Sequence, residues 1–280
     1  MTAQRRGECG YALLAAVASI ALLASLALMM LLASRGTIVM AAAETDQARL
    51  RAAADGGIAL ALQGLLQPDL RQRWAIDGKP RGVRFGDYDL AIAIVDERGK
   101  LPLNRLNRDQ SAAMFSAFGL TGVDRDIAVD SFLDWRDQDD DTNPQGAEID
   151  YYADKGIAPR NGPLRSVGEL ALIRGVGPAV AARIIPVATV DFGPKGDFDP
   201  RFASAVARRI MADQDDEADV PNGVTPRISA PVGDRDSLID HPLTIIVEAS
   251  IDGGRARTRR RLTVSLTGID ERPYLVLGGE

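Results

Sequence analysis

Hydrophobic positions change their spacing along the chain, and each change predicts an element. From 11 to 32 there is no charged residue, and Leu, Ala, Ile, Val and Met dominate. A helix of that length crosses the roughly 30 Å hydrocarbon core of a bilayer. Beyond it, Ile38, Val39, Leu50, Ala54, Ile58, Leu62 and Leu65 recur at three- and four-residue intervals, the mark of a helix with one apolar stripe. The two patterns join into a single long helix, partly in lipid and partly outside it, which Pro68 stops. Gly56-Gly57 interrupts the stripe, and because each Gly costs about 1 kcal/mol relative to Ala in a helix interior, a kink or loosened turn is expected there.

Alternation then replaces the helical period. Tyr88, Leu90, Ile92 and Ile94 alternate with Asp89, Ala91, Ala93 and Val95 and close in the turn Asp96-Glu97-Arg98-Gly99. Much later Leu243, Ile245, Val247, Ala249 and Ile251 alternate again, followed by Asp252-Gly253-Gly254 and by Leu262, Val264 and Leu266, which predicts a β-hairpin. Residues 274–277 add a last strand. Between the strand regions lie helix signals: Asp124 as cap of a helix burying Ile127, Ala128, Ser131, Phe132 and Trp135, with Leu133 beside that face; the capping box Ser166-Val167-Gly168-Glu169 before Leu170 and Ile173; and Asp199-Pro200 opening a helix that buries Phe202, Val206 and Ile210. The acidic stretch 213–222 is poor in apolar residues and predicts a return linker. The implied fold class is α+β: a long N-terminal helix laid on an antiparallel sheet, with a helical domain of SAM-like or helix-hairpin-helix type inserted in that sheet. Its divisions are 1–10, a leader; 11–67, the helix; 68–103, the first part of the α/β domain; 104–223, the insert; and 224–280, the rest of the sheet.

Charge and composition narrow the function. A net charge of −6 argues against nucleic acid as the main partner, since phosphate binding draws on a cationic face. Cys9 and His241 are the sole residues of their kinds, which excludes a disulfide framework and any multi-histidine site; His241, before Pro242, is expected at the surface. Arg5 and Arg6 before the apolar run keep the first residues cytoplasmic and send the body across the membrane. An ordinary signal peptide has a shorter apolar core with a cleavage site behind it, and a lipoprotein carries its cysteine after the core, whereas Cys9 precedes it. The layout is that of a prepilin leader, a short basic segment ending in Gly. Cleavage after Gly10 leaves Tyr11 first, with Gly7 as second choice, and puts Ala15 at the fifth mature position, where pilins usually carry Glu.

The densest chemistry is Asp134, Asp137, Asp139, Asp140 and Asp141, continued by Glu148 and Asp150. Crowded carboxylates repel one another unless a cation or strong donors offset the repulsion, and oxygen ligands without Cys or His point to Ca²⁺. Counted from Asp134, the sixth and twelfth positions of an EF-hand loop hold Asp139 and Gln145, so any such site is irregular; a solvated acidic loop is the alternative. Gly175-Val176-Gly177-Pro178 through Ile184 looks like a helix-hairpin-helix, read as a structural hairpin because its surroundings are acidic. Arg255, Arg257, Arg259, Arg260 and Arg261 read as a solvated edge strand, with a docking surface for an acidic partner as the alternative. No phosphate loop, nucleophile elbow or zinc signature occurs, so catalysis is not expected.

Taken together, several segments resemble the K-type minor pseudopilins of type II secretion, the general secretion pathway protein K family. The carriers are the 10–14 junction, 95–100 with Asn104, Asp134-Trp135 with Asp137, Asp139 and Asp140, Gly146-Ala147-Glu148 with Asp150-Tyr151-Tyr152, Asn161, Pro163-Leu164, Ser166-Val167 and 169–175. That family also lacks Glu at the fifth mature position. The resemblance implies a pilin-like fold at the pseudopilus tip with the I and J minor pseudopilins, on top of the major pseudopilin. It also implies leader removal by a prepilin peptidase, methylation, a single inner-membrane span with a periplasmic body, and calcium in the helical domain. Around 196–200 the sequence departs from the Asn-rich segment common in relatives. A membrane-tethered helix-hairpin-helix DNA receptor of competence systems is the alternative, and it lacks its basic face here.

Overall fold

The computed structural model describes residues 8–69, 71–192, 197–212, 238–254 and 256–279. The leader residues 1–7, the linker 213–222, the expected boundary near 223 and Arg255 lie outside them, as do the side chains of Ile38 and Val39.

The first helix, α1 (Glu8–Leu65), runs without a break for 58 residues and ends just before Pro68. Its segment Tyr11–Leu31 is long and apolar enough to cross a membrane, with a mean hydropathy of 2.5 and none of it buried in the protein. Farther along, the stripe behaves as its spacing predicts: Leu50, Ala53, Ala54, Ala61, Leu62 and Leu65 are buried against the sheet. The expected kink at Gly56-Gly57 does not occur. Those glycines instead let the helix settle closely on the sheet, since a Cβ at Gly57 would stand 2.7 Å from a Val247 methyl and one at Gly56 3.0 Å from the Phe85 ring.

The sheet consists of β1 (Arg81–Phe85), β2 (Tyr88–Asp96), β5 (Pro242–Ile251), β6 (Ala256–Ile269) and β7 (Arg272–Gly279), antiparallel in the order β1-β2-β5-β6-β7. Alternation decides its faces: Leu90, Ile92 and Ile94 of β2 and Leu243, Ile245, Val247 and Ala249 of β5 point to α1 and form one core with Val264 and Leu266. β2 and β5 are adjacent in space and far apart in sequence, and the helical insert leaves and returns between them. β6 is therefore an interior strand and not the edge that its arginines suggested. Arg260 instead meets Asp55 of α1 at 3.0 Å, and Arg259 lies 3.8 Å from Glu248 of β5.

The insert has its own core around Phe115, Phe132, Trp135, Tyr152, Leu170 and Ile184. It is built from β3 (Leu101–Pro102), α2 (Arg108–Ala117), α3 (Gly122–Arg136), α4 (Ile149–Ala153), a 3-10 turn at Val167–Leu172, α5 (Gly177–Ile184), β4 (Ala188–Thr189) and α6 (Ala205–Met211), with β3 and β4 paired in parallel. Three expected helix starts are corrected. α3 begins behind Thr121, so Asp124 sits in its first turn, where its charge favours the unpaired amides without capping them. The Ser166–Glu169 capping box forms, but it opens a 3-10 turn. Asp199-Pro200 makes a turn ahead of α6, whose cap is Ser204, because Asp199 is drawn to the Arg201 guanidinium at 2.7 Å.

Where β2 ends, the two bodies are clamped. Arg98 binds Asp96 at 2.6 Å, approaches Asp199 at 3.9 Å, and accepts the Asp199 amide on its carbonyl at 2.9 Å. Beside it the Thr244 hydroxyl donates to buried Glu97 at 2.6 Å, and Lys100 pairs with the same carboxylate at 2.5 Å. His241 is half-buried here with its Nδ1 sealed from solvent and unpartnered, not at the surface as expected; burial, followed by the Arg98 charge, lowers its pKa.

Candidate cation site

The last turn of α3 carries the acidic cluster into the insert. Asp134 shares its helix with Phe132 and Trp135, and the packing that buries those rings buries its carboxylate completely. Its Oδ1 accepts the Asn143 amide at 3.2 Å and the Asn143 side-chain amide, while its Oδ2 has no partner. The chain returns over this oxygen at Gly146, where any Cβ would overlap Oδ2. Arg174 holds that return in place by donating to the Gly146 carbonyl at 2.7 Å.

Two residues on, Glu148 precedes α4 and is 5% exposed, and neither of its carboxylate oxygens has a donor. Asp137, the C-terminal cap of α3, leaves Oδ1 unpartnered, and Asn161, at a positive φ of 45°, does the same with its Oδ1. The Asn161 amide reaches back to the Asp139 carbonyl at 3.0 Å and to Asp140 at 2.7 Å, tying the loop to the same spot.

Electrostatics agree with the geometry. Burial, followed by the charges of Asp134, Asp137, Asp140 and Asp139, pushes the Glu148 carboxyl up to about 7. Burial, followed by Asp139 and Asp134, pushes Asp137 up to about 6. The Arg136 charge offsets only part of this at Asp137, since its guanidinium donates to the Leu103 and Leu106 carbonyls and lies over the Phe132 ring. Asp130, also buried in α3, is by contrast satisfied by Arg108 and by the Gln145 amide.

The structure thus gathers Asp134, Asp137 and Glu148 with Asp139 and Asp140 beside them. Asp141 and Asp150 stay exposed, and the Asp141 amide does no more than donate to Asp139. Asn161 and Asn143 were not among the expected site residues; Asn is one of the few non-glycine types that readily adopts a positive φ, and that is the one local signal for the turn at Asn161. Among the described residues, no acid, His or Cys side chains form a metal-ligand set, and the cluster stands as a group of acceptors without donors.

Residues 92–191, which contain this whole arrangement, match the family model of protein K of the type II secretion system. No curated protein matches the chain. A chain of the GspK-GspI-GspJ complex from the type 2 secretion system of enterotoxigenic Escherichia coli has the same fold, with a TM-score of 0.59 over 85% of this chain and 97% of that one at 14% sequence identity.

Within the matched region, the hairpin between the 3-10 turn and α5 is pressed onto α3. A Cβ at Gly175, φ 81°, would come within 2.9 Å of Ile127 and 3.0 Å of the Ala128 amide nitrogen. Tyr152 and Glu169 brace the same wall, Tyr152 by accepting the Arg174 amide at 3.0 Å and Glu169 by accepting the Trp135 indole N–H at 3.2 Å. At the other end of the chain, the expected cleavage junction of Gly10 and Tyr11 lies inside α1, and Tyr11 is 80% exposed.

Proposed function

We propose that this chain is a structural, non-enzymatic minor pseudopilin of type II secretion that caps the pseudopilus tip with I and J partners and supports export of folded proteins across the outer membrane. The observation that carries the reading is the insertion of a protein K domain between β2 and β5 of a sheet whose covering helix continues into an apolar span. A prepilin peptidase cuts after Gly10, and the helix from Tyr11 packs with those of partner and major pseudopilins. The N-terminus lies on the cytoplasmic side of the inner membrane and the body in the periplasm. With Ala15 at the fifth mature position there is no carboxylate for a further subunit's amino terminus, and the bulk of the insert blocks addition beyond it. Co-purification of the chain with I and J pseudopilins tests the role. A ternary complex is expected, and a chain that stays alone in the membrane refutes it.

The protein K domain of this chain binds Ca²⁺. Support comes from the unmet oxygens of Asp134, Asp137, Glu148 and Asn161, a hard, all-oxygen donor set with no nitrogen or sulfur ligand. The ion offsets the mutual repulsion of the carboxylates and fixes the loop that joins α3 to α4. Calorimetric titration is expected to show binding, and absence of heat together with unchanged melting in chelator removes the claim.

A further inference from the structure

The two edges of the sheet are unlike. β1 is blunted by charge: Arg84 pairs with Asp89 at 2.7 Å, and Arg81 lies over the Trp74 ring. Such charges discourage the addition of another strand. β7 has no charged residue from Tyr274 to Gly279, and Leu275, Val276 and Leu277 follow one another at 37%, 58% and 44% exposure. Its register with β6 puts Val276 opposite Val264, on the helix side, and Leu275 opposite Ser265, on the other side, so both faces of the edge are apolar.

Beyond a register shift, Leu277, Gly278 and Gly279 line a cleft of about 280 Å³ between the sheet and the insert. The same cleft is lined by Lys100, Arg165 and Arg261, and by Glu97 and Asp191. Glu97 is already paired with Lys100 and accepts from Thr244, so Arg165 and Arg261 face Asp191 alone, an excess of cationic side chains beside the charge-free segment 274–279.

We infer that β7 receives an extended segment of a partner pseudopilin by strand addition, with a run of consecutive apolar residues along Leu275–Leu277 and a carboxylate entering the cleft beside Arg165 and Arg261. Main-chain hydrogen bonds to this edge, which no other strand pairs among the described residues, supply affinity, and the two apolar faces select a continuous hydrophobic run over an alternating one. The inference rests on the proposed partnership with I and J pseudopilins and names the surface that serves it.

The test uses the full chain, co-expressed with I and J pseudopilins and purified in detergent. Val276→Lys puts a charge on the edge and is expected to lower recovery of the complex at least tenfold, whereas Gly82→Lys, on the β1 edge where a Cβ meets nothing within 4 Å, leaves it unchanged. Hydrogen exchange on the unmodified complex provides the second readout, with amides of 274–278 slowing on assembly. Equal recovery for both variants, loss with both, or β7 amides equally protected in the free chain each overturn the edge assignment. Failure of the unmodified chain to bind either partner overturns the partnership itself.

Discussion

Glu148→Gln separates the two consequences of the acidic cluster. In the folded chain the Glu148 carboxyl is pushed from 4.5 up to about 7, so between those values the folded state holds a proton that the unfolded chain has released. Folded chains then bind more protons than unfolded ones, and stability falls as pH rises through that window and levels off above it. At about 1.4 kcal/mol per pH unit, the Glu148 contribution has a ceiling of about 3 kcal/mol, shared with its acidic neighbours. Calcium reverses the balance: at a free concentration a hundred times its Kd it adds about 2.7 kcal/mol, which for a body of this size is about 5–11 °C in Tm. Replacement by Gln is therefore expected to raise the Tm of the calcium-free chain at pH 8, flatten its decline from pH 5 to 8, and abolish the calcium-induced rise. Thermal melts of the intact chain in detergent, with chelator and with calcium, read all of these. A wild-type chain that gains stability from pH 5 to 8 in chelator, or a Gln variant that keeps the calcium shift, refutes the reasoning.

Other perturbations follow from the packing. Gly57→Val drives a Cβ against Val247 of β5 and is expected to cost about 1–3 kcal/mol through overpacking, read as a lower melting temperature with helix content retained in circular dichroism. Asn107→Ala removes the side chain that accepts the Gln110 amide at 2.8 Å at the start of α2 and is expected to cost about 0.5–2 kcal/mol by urea titration. Arg98→Ala strands Asp96, which is 2% exposed, and is expected to cost about 3–5 kcal/mol. Protease cleavage between the sheet and the insert should speed up in the same variant, and an unchanged digestion rate contradicts the clamp.

The sequence announces what repeats and conceals what depends on a returning chain. The long helix and strands β2, β5 and β6 are legible because one buried face imposes a period on many residues, and β7 is legible as a short apolar run. β1 is not legible: its five residues, Arg-Gly-Val-Arg-Phe, contain two arginines that its edge position tolerates. Strands β3 and β4, two residues each, impose no period at all. The start of α2 is legible in the Asn107–Gln110 spacing, which forms a capping box. The arginines of β6 suggested an edge because cross-strand and helix partners such as Glu248 and Asp55 lie far away in sequence. In the site, composition singled out Asp134, Asp137 and Glu148, but the burial that leaves their oxygens without donors depends on Trp135, on the close pass of Gly146 and on the left-handed turn at Asn161. None of these is an acidic residue, so counting carboxylates does not find them.

The most direct measurement is the amino-terminal residue of the mature protein in the membrane fraction, determined by mass spectrometry. The account predicts a chain that begins at Tyr11 and keeps the whole apolar segment Tyr11–Leu31. A mature chain found in the soluble fraction with that segment removed contradicts it.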